Sequence, residues 1–257
     1  MGCDIHMWVE KQDDTDAWRP VDYLPPWKCS WCAGVGRYVH SGEACYHCGG
    51  KGTVRGVYEG RNYDLFGMLA NVRNGRGFAG VRTGGGFEPI HEPRGFPDDM
   101  SDELSRWLQA DGREADYDTQ QAFYKQHAIP PSDHRAYPGD HSASWATLAE
   151  LDAYFSREGD HLSTHQGWVT PQEFLRWEET GQPDSWCGGV SGGDVKHVSN
   201  SEMRDRIARG NAHGCFTVVE WTSTYGKEAG SFYADFLPAL RQVGPADRVR
   251  IIYNFDS

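Results

Sequence analysis

Residues 2–10 alternate in polarity. Cys3, Ile5, Met7 and Val9 fall on one side, and Asp4, His6, Trp8 and Glu10 on the other, which is the period of a half-buried strand. Residues 215–222 and 248–255 are rich in β-branched and aromatic residues and predict two further strands. A helical period places Leu65, Phe66, Leu69 and Val72 on one face of 61–72. Ser142 or Ser144 is the expected cap of a helix over 142–155, with Trp145, Leu148, Leu151, Ala153 and Phe155 as its buried stripe. Thr170-Pro171-Gln172-Glu173 reads as a helix start, and Gly181 as the stop. Ser201 is expected to open a polar helix to Arg209, and 230–242 a further helix. Ser101 is expected to cap another, with Leu104, Trp107 and Leu108 facing inward, and 118–127 reads as a short helix. Residues 11–28, 73–97, 128–140 and 184–195 read as connections.

Strand, insertion, helices, then strand–helix–strand is the order of an α+β fold. The expected fold is one mixed domain whose sheet is built from the N- and C-terminal strands. Residues 1–28 and 53–257 form its core, and residues 29–52 are an inserted zinc hairpin.

Composition narrows the function classes. The chain has 257 residues, ten of them tryptophan, which suits a packed core. Its formal net charge of −12 argues against broad nucleic-acid binding, because an acidic chain gains no counterion release from a phosphate backbone. No apolar run reaches the roughly 20 residues of a membrane span, and the first residues do not form a secretory leader. Four of the seven cysteines have metal-ligand spacing. Cys3, Cys187 and Cys215 lie scattered, as small core residues. This usage suits a reducing compartment, so a cytoplasmic location is expected.

The strongest chemical signal is Cys29-Ser-Trp-Cys32-Ala-Gly-Val-Gly36, followed after twelve residues from Cys32 by Cys45-Tyr-His-Cys48-Gly-Gly-Lys-Gly52. Each C-x2-C turn places two thiolates on one side of a metal, and two such turns complete a tetrahedron suited to one Zn2+. Four thiolates leave no open position, so the ion is expected to be structural. The following glycines free backbone N–H groups to face the sulfurs.

These residues resemble the C-x-x-C-x-G-x-G repeat of DnaJ-type chaperones, over about 24 residues. That family carries four copies, whereas this chain has two and lacks a His-Pro-Asp motif. The resemblance implies a zinc hairpin and a contact surface. The whole chain is also similar to a group of actinobacterial and phage proteins. The likeness rests on Gly-Cys-Asp-Ile-His (2–6), Arg-Asn-Tyr-Asp-Leu-Phe (61–66), Pro-Arg-Gly-Phe-Pro-Asp-Asp (93–99), His-Ser-x-Ser-Trp (141–145) and the closing Phe255-Asp256 pair. It implies an origin and no mechanism.

Outside the cysteines, Asp4-x-His6 at a strand end resembles the first motif of calcineurin-like metallophosphoesterases, and Gly139-Asp140-His141 a second. Their Gly-Asn-His-Glu and Gly-His-x-His motifs are missing. If the first and last strands are neighbours, Asp4, His6, Asn254 and Asp256 gather at one edge, where Arg61, Asp140 and His141 can join them and Trp8 shares the face. His161-Leu-Ser163 and His197-Val-Ser199 resemble the paired motifs of 2H phosphoesterases but do not read as strands. Gly75-Arg-Gly-Phe-Ala-Gly80 has dinucleotide-loop spacing but follows a helix, so it reads as a surface loop.

Two functions follow as expectations. The first is a zinc-binding phage or phage-derived accessory protein that binds a protein or small-molecule partner. The second is a metal-dependent hydrolase or phosphoesterase acting on a nucleotide or other small substrate. Its catalytic groups would be Asp4, His6 and His141, with Arg61, Trp8, Asp140 and Asp256 holding the ligand.

Overall fold

Residues near the two ends of the chain lie side by side and antiparallel, at the centre of one sheet. The computed structural model describes residues 3–38, 40–109, 139–158 and 161–256. The helix expected over 118–127 and residues 128–138 of the following connection lie outside them. The strands are β1 (Ile5–Gln12), β2 (Trp18–Pro20), β3 (Trp27–Lys28), β4 (Thr53–Val54), β5 (His141–Thr147), β6 (Leu162–Val169), β7 (Lys196–His197), β8 (Cys215–Thr224) and β9 (Val249–Phe255). The helices are α1 (Tyr63–Ala70), α2 (Asp102–Gln109), α3 (Leu148–Glu158), α4 (Pro171–Thr180), α5 (Asn200–Ala208), α6 (Tyr225–Ala229) and α7 (Leu237–Leu240), with a π-helical turn over Phe232–Phe236 before α7. The fold is α+β.

The main sheet has the order β2-β1-β9-β5, antiparallel throughout. Ile5, Met7 and Val9 share one face with Val249, Ile251, Tyr253 and Phe255, and α1, α3 and the 225–240 helices cover that face. On the other face, Trp8, Ile252 and Trp145 pack under Leu104 and Leu108 of α2. Ser101 caps α2 as expected, accepting from Leu104 N–H.

Next to this apolar cover lies a buried ion pair. Glu10 and Arg250 stand opposite each other across β1 and β9, and are 0% and 1% exposed. Arg250 donates to Glu10 Oε2 from Nε at 3.0 Å and Nη2 at 2.8 Å, and to Asp99 Oδ1 from Nη1 at 2.6 Å. The Trp18 ring lies 3.8 Å from the Arg250 guanidinium carbon. Ser101 N–H donates to the remaining Glu10 oxygen at 2.9 Å. Both charges are thus paired and hydrogen-bonded, the condition for keeping them in an apolar layer.

Two expectations need correction. The expected helix over 142–155 is a strand up to Thr147 and a helix only from Leu148. Thr147 is its cap, since Glu150 N–H donates to Thr147 Oγ1 at 3.1 Å. Ser144 and Ala146 occupy the buried face of β5, and Trp145 the other. A second sheet was also not foreseen, with the order β6-β8-β7. Val169, Val219 and Trp221 pack there against Phe174 of α4 and Met203 of α5. The Thr170 cap, Pro171 and the Gly181 stop are as expected for α4. The polar helix starts at Asn200, one residue before Ser201, with Ser199 as its cap.

Arg250→Met is expected to cost about 3–5 kcal/mol in urea unfolding, because Glu10 is left as a buried unpaired charge. Adding Glu10→Gln, which keeps an acceptor for Ser101, is expected to recover most of the loss. A single variant within about 1 kcal/mol of wild type contradicts this reading.

Candidate functional site

The cysteine hairpin grows from the two-residue ladder β3–β4. Trp27 roots it: the ring is buried against Tyr58 and Phe236, and its Nε1 donates to Gly56 O at 2.9 Å. Beyond this root the two cysteine turns repeat each other. Cys29 N–H donates to Gly52 O and Cys45 N–H to Gly36 O, while Gly34 N–H donates to Cys29 O and Gly50 N–H to Cys45 O. Gly36 and Gly52 have φ near +78°, and a Cβ on either would lie 2.4 or 2.3 Å from the carbonyl oxygen of Gly50 or Gly34. The repeat therefore packs on itself only with glycine there.

The four sulfurs are buried together. Cys29 Sγ lies 4.0 Å from Cys45 Sγ, and Cys32 Sγ lies 3.8 Å from Cys48 Sγ. A tetrahedral ion with Zn–S bonds of about 2.3 Å separates its sulfurs by about 3.8 Å. Gly36 and Gly52 N–H each donate to a sulfur at 3.2 Å, as a thiolate requires. The donor set and spacing fit a bound metal such as zinc.

The hairpin's outer surface is aromatic. Trp31 and His47, equivalent positions of the two turns, stack at 4.0 Å with an interplanar angle of 5°. Trp31 is 55% exposed, Tyr46 86% and Tyr23 78%. Between the hairpin and its root lies a groove of about 540 Å3, lined among others by Tyr23, Trp31, His47, Lys51, Arg55 and Glu59. Segment 28–55 carries Lys28, Arg37, Lys51 and Arg55 against Glu43 alone, the opposite balance to the whole chain.

The polar residues at the ends of β1 and β9 do meet. His6 faces Asn254 across the ladder. Asp256 Oδ1 accepts from Asp4 N–H at 2.5 Å, and its Oδ2 lies 3.5 Å from His6 Nε2. Arg61 grips both oxygens of Asp4, with Nε 2.6 Å from Oδ1. His141 Nε2 lies 3.2 Å from Asp256 O, and Asp140 N–H donates to Phe255 O at 2.6 Å. A Cβ on Gly139 would lie 2.7 Å from Phe255 O and 3.1 Å from His6 Cδ2. The Asp4 carboxylate is thus filled by Arg61, and Asp256 by the Asp4 amide and His6. Among the described residues these groups do not make a three-ligand cluster. Trp8 is buried beneath α2 rather than open to a ligand.

A second cluster was not foreseen. Asp64, His165 and Glu228 place one ligand atom each within 4.8 Å of one another. Asp64 lies in the first turn of α1, which Asn62 caps; Asn62 Nδ2 also donates to Glu228 O at 2.7 Å and so ties α1 to α6. His165 sits on β6 between the rings of Phe87 and Trp221. Burial pushes its pKa down. Burial, the Glu228 charge and a hydrogen bond shared with Glu228 push the Asp64 carboxyl up to about 7.

The other motifs serve the fold. Ser163 lies on β6 and His197 on β7, correcting the expectation that neither is on a strand. Ser163 Oγ donates to Gly86 O, and Ser199 caps α5. The glycine-rich stretch continues alongside β6, where Gly84 bridges to His165. No helix among the described residues is long and apolar enough to cross a membrane. No family model, curated protein or solved structure matches the chain.

The Arg61 hydrogen bonds hold the Asp4 carboxyl below its ordinary pKa. Its stabilising effect is full above the ordinary carboxylate range and is lost as pH falls through the depressed folded value. Arg61→Gln is therefore expected to flatten that part of the acid stability curve, measured by urea unfolding between about pH 5 and pH 2, and to change stability by no more than about 1 kcal/mol at pH 7 because the pair is half exposed. An unchanged acid limb contradicts the assignment.

Proposed function

We propose that the protein is a zinc-stabilised binding protein whose hairpin groove takes an extended, acidic segment of a protein partner. The reading rests on the stacked, exposed Trp31–His47 pair over a groove bearing Lys51 and Arg55. One Zn2+ in the cysteine cluster holds that platform rigid, so little freedom is lost when a partner docks. Flat aromatic surfaces with few torsions are the usual anchors of interfaces. The two cations complement carboxylates, whereas Glu59 at the same groove repels a fully acidic run, so the acids of the segment belong beside Lys51 and Arg55. The net charge of −12 opposes a long polyanion more than a short acidic peptide. An accessory role fits this arrangement, as does the resemblance to actinobacterial and phage proteins. The hydrolase reading has less support, because Asp4 and His6 are engaged with Arg61 and Asp256.

Selection of a displayed random-peptide library on the full chain tests the proposal. Enrichment of sequences rich in Asp and Glu is expected. A selected peptide, titrated by tryptophan fluorescence, is expected to bind about thirtyfold more weakly to Trp31→Ala, a loss of about 2 kcal/mol. Lys51→Glu with Arg55→Glu is expected to reverse the charge preference. Enrichment without acidic bias, or tighter binding of an oligothymidylate than of any selected peptide, would refute it.

A further inference from the structure

We propose that Asp64, His165 and Glu228 form a second metal site, which takes a divalent first-row cation such as Mn2+ and leaves it open coordination positions. The site is independent of the hairpin groove. Its ligands come from α1, β6 and α6, three elements distant in sequence, of which α1 and α6 are tied by the Asn62 bond to Glu228 O.

The spacing suits an ion. The centre of an equilateral triangle with a 4.8 Å side lies about 2.8 Å from each corner, so small side-chain rotations bring three donors to metal-bond lengths of about 2.0–2.2 Å. His165 supplies the independent sign of a ligand. The residue is 2% exposed, and its Nε2 is buried with no hydrogen-bond partner among the described residues, 4.0 Å from Glu228 Oε1. A buried imidazole nitrogen left without a hydrogen-bond partner beside two carboxyl groups is costly unless something joins them. Ser223 Oγ, on the same face of the β6–β8 ladder, is also buried and without a partner among the described residues.

One imidazole with two carboxylates selects among ions. Oxygen donors suit Mn2+, while the imidazole adds affinity for the first-row series. A soft ion is better served by the four thiolates of the hairpin. The aromatic rings of Phe87 and Trp221 hold the imidazole in place and keep one side dry.

Equilibrium dialysis of the full chain against Mn2+, with zinc retained in the hairpin and free Mn2+ read by electron paramagnetic resonance, tests the site. One bound Mn2+ per chain is expected. His165→Gln and Glu228→Gln are each expected to weaken binding by at least about a hundredfold, since even outer partners of metal ligands are worth ten- to a hundredfold. Glu220→Gln, an exposed acid on β8, is expected to leave it unchanged. Retained zinc and a native circular dichroism spectrum show that each variant is folded. Where His165→Gln fails that check, Asp64→Asn, which keeps the side-chain shape, reads the same loss. Absence of any second cation in the native protein, whether added Mn2+ or zinc beyond the first equivalent, overturns the proposal. Equal affinity in the folded ligand variants does so too.

Discussion

Seven residue pairs join β1 to β9, from Ile5–Phe255 to Lys11–Val249. A slip of one residue would turn Ile5, Met7 and Val9 out of the main core and bring Asp4, His6 and Glu10 into it. The Glu10–Arg250 pair guards against that slip, because only the observed register sets the two charges opposite each other with Asp99 and Ser101 as further partners. At the far end of the same ladder, Asp4 and Asp256 tie the chain ends to Arg61 and His6. Polar groups thus fix both ends of the central ladder, with apolar packing between them.

The hairpin is held by a different principle. A segment of this size has too little interior for a hydrophobic core of its own, and four buried sulfurs that could bind a metal such as zinc take its place. At its root, Trp27 and Val54 reach the main core. The aromatic residues near the tip are consequently left outside, where they face solvent. On the proposed reading, a metal held by four thiolates would have no open position, and the platform's aromatic surface would serve partner capture.

Much of this was legible in the sequence. The cysteine cluster followed from spacing and paired glycines, and the meeting of Asp4, His6, Asn254 and Asp256 from alternation on the two end strands. The α4 boundaries followed from Thr170, Pro171 and Gly181. The failures share a cause. On β6 the buried face carries Ser163, His165, Gly167 and Val169, while Leu162 and Trp168 point outward. A hydrophobic pattern searched for a strand core finds the wrong side there. On β5 the buried positions are Ser144 and Ala146, and the serines read instead as helix caps. Local rules fail most often where a buried surface serves something other than packing, and on β6 that surface holds His165. Asp64 and Glu228 sit in ordinary first-turn positions of helices, so only the folded chain brings them to that histidine.

On the proposed reading, a metal within the four sulfurs orders the hairpin and the aromatic platform it carries. X-ray absorption at the zinc edge, on protein purified without chelator and exchanged with excess Mn2+ to clear weaker zinc sites, tests this most directly. One zinc per chain with a first shell of four sulfurs at about 2.3 Å is expected. A zinc-free hairpin that still holds its fold, or a first shell dominated by nitrogen or oxygen, would contradict it.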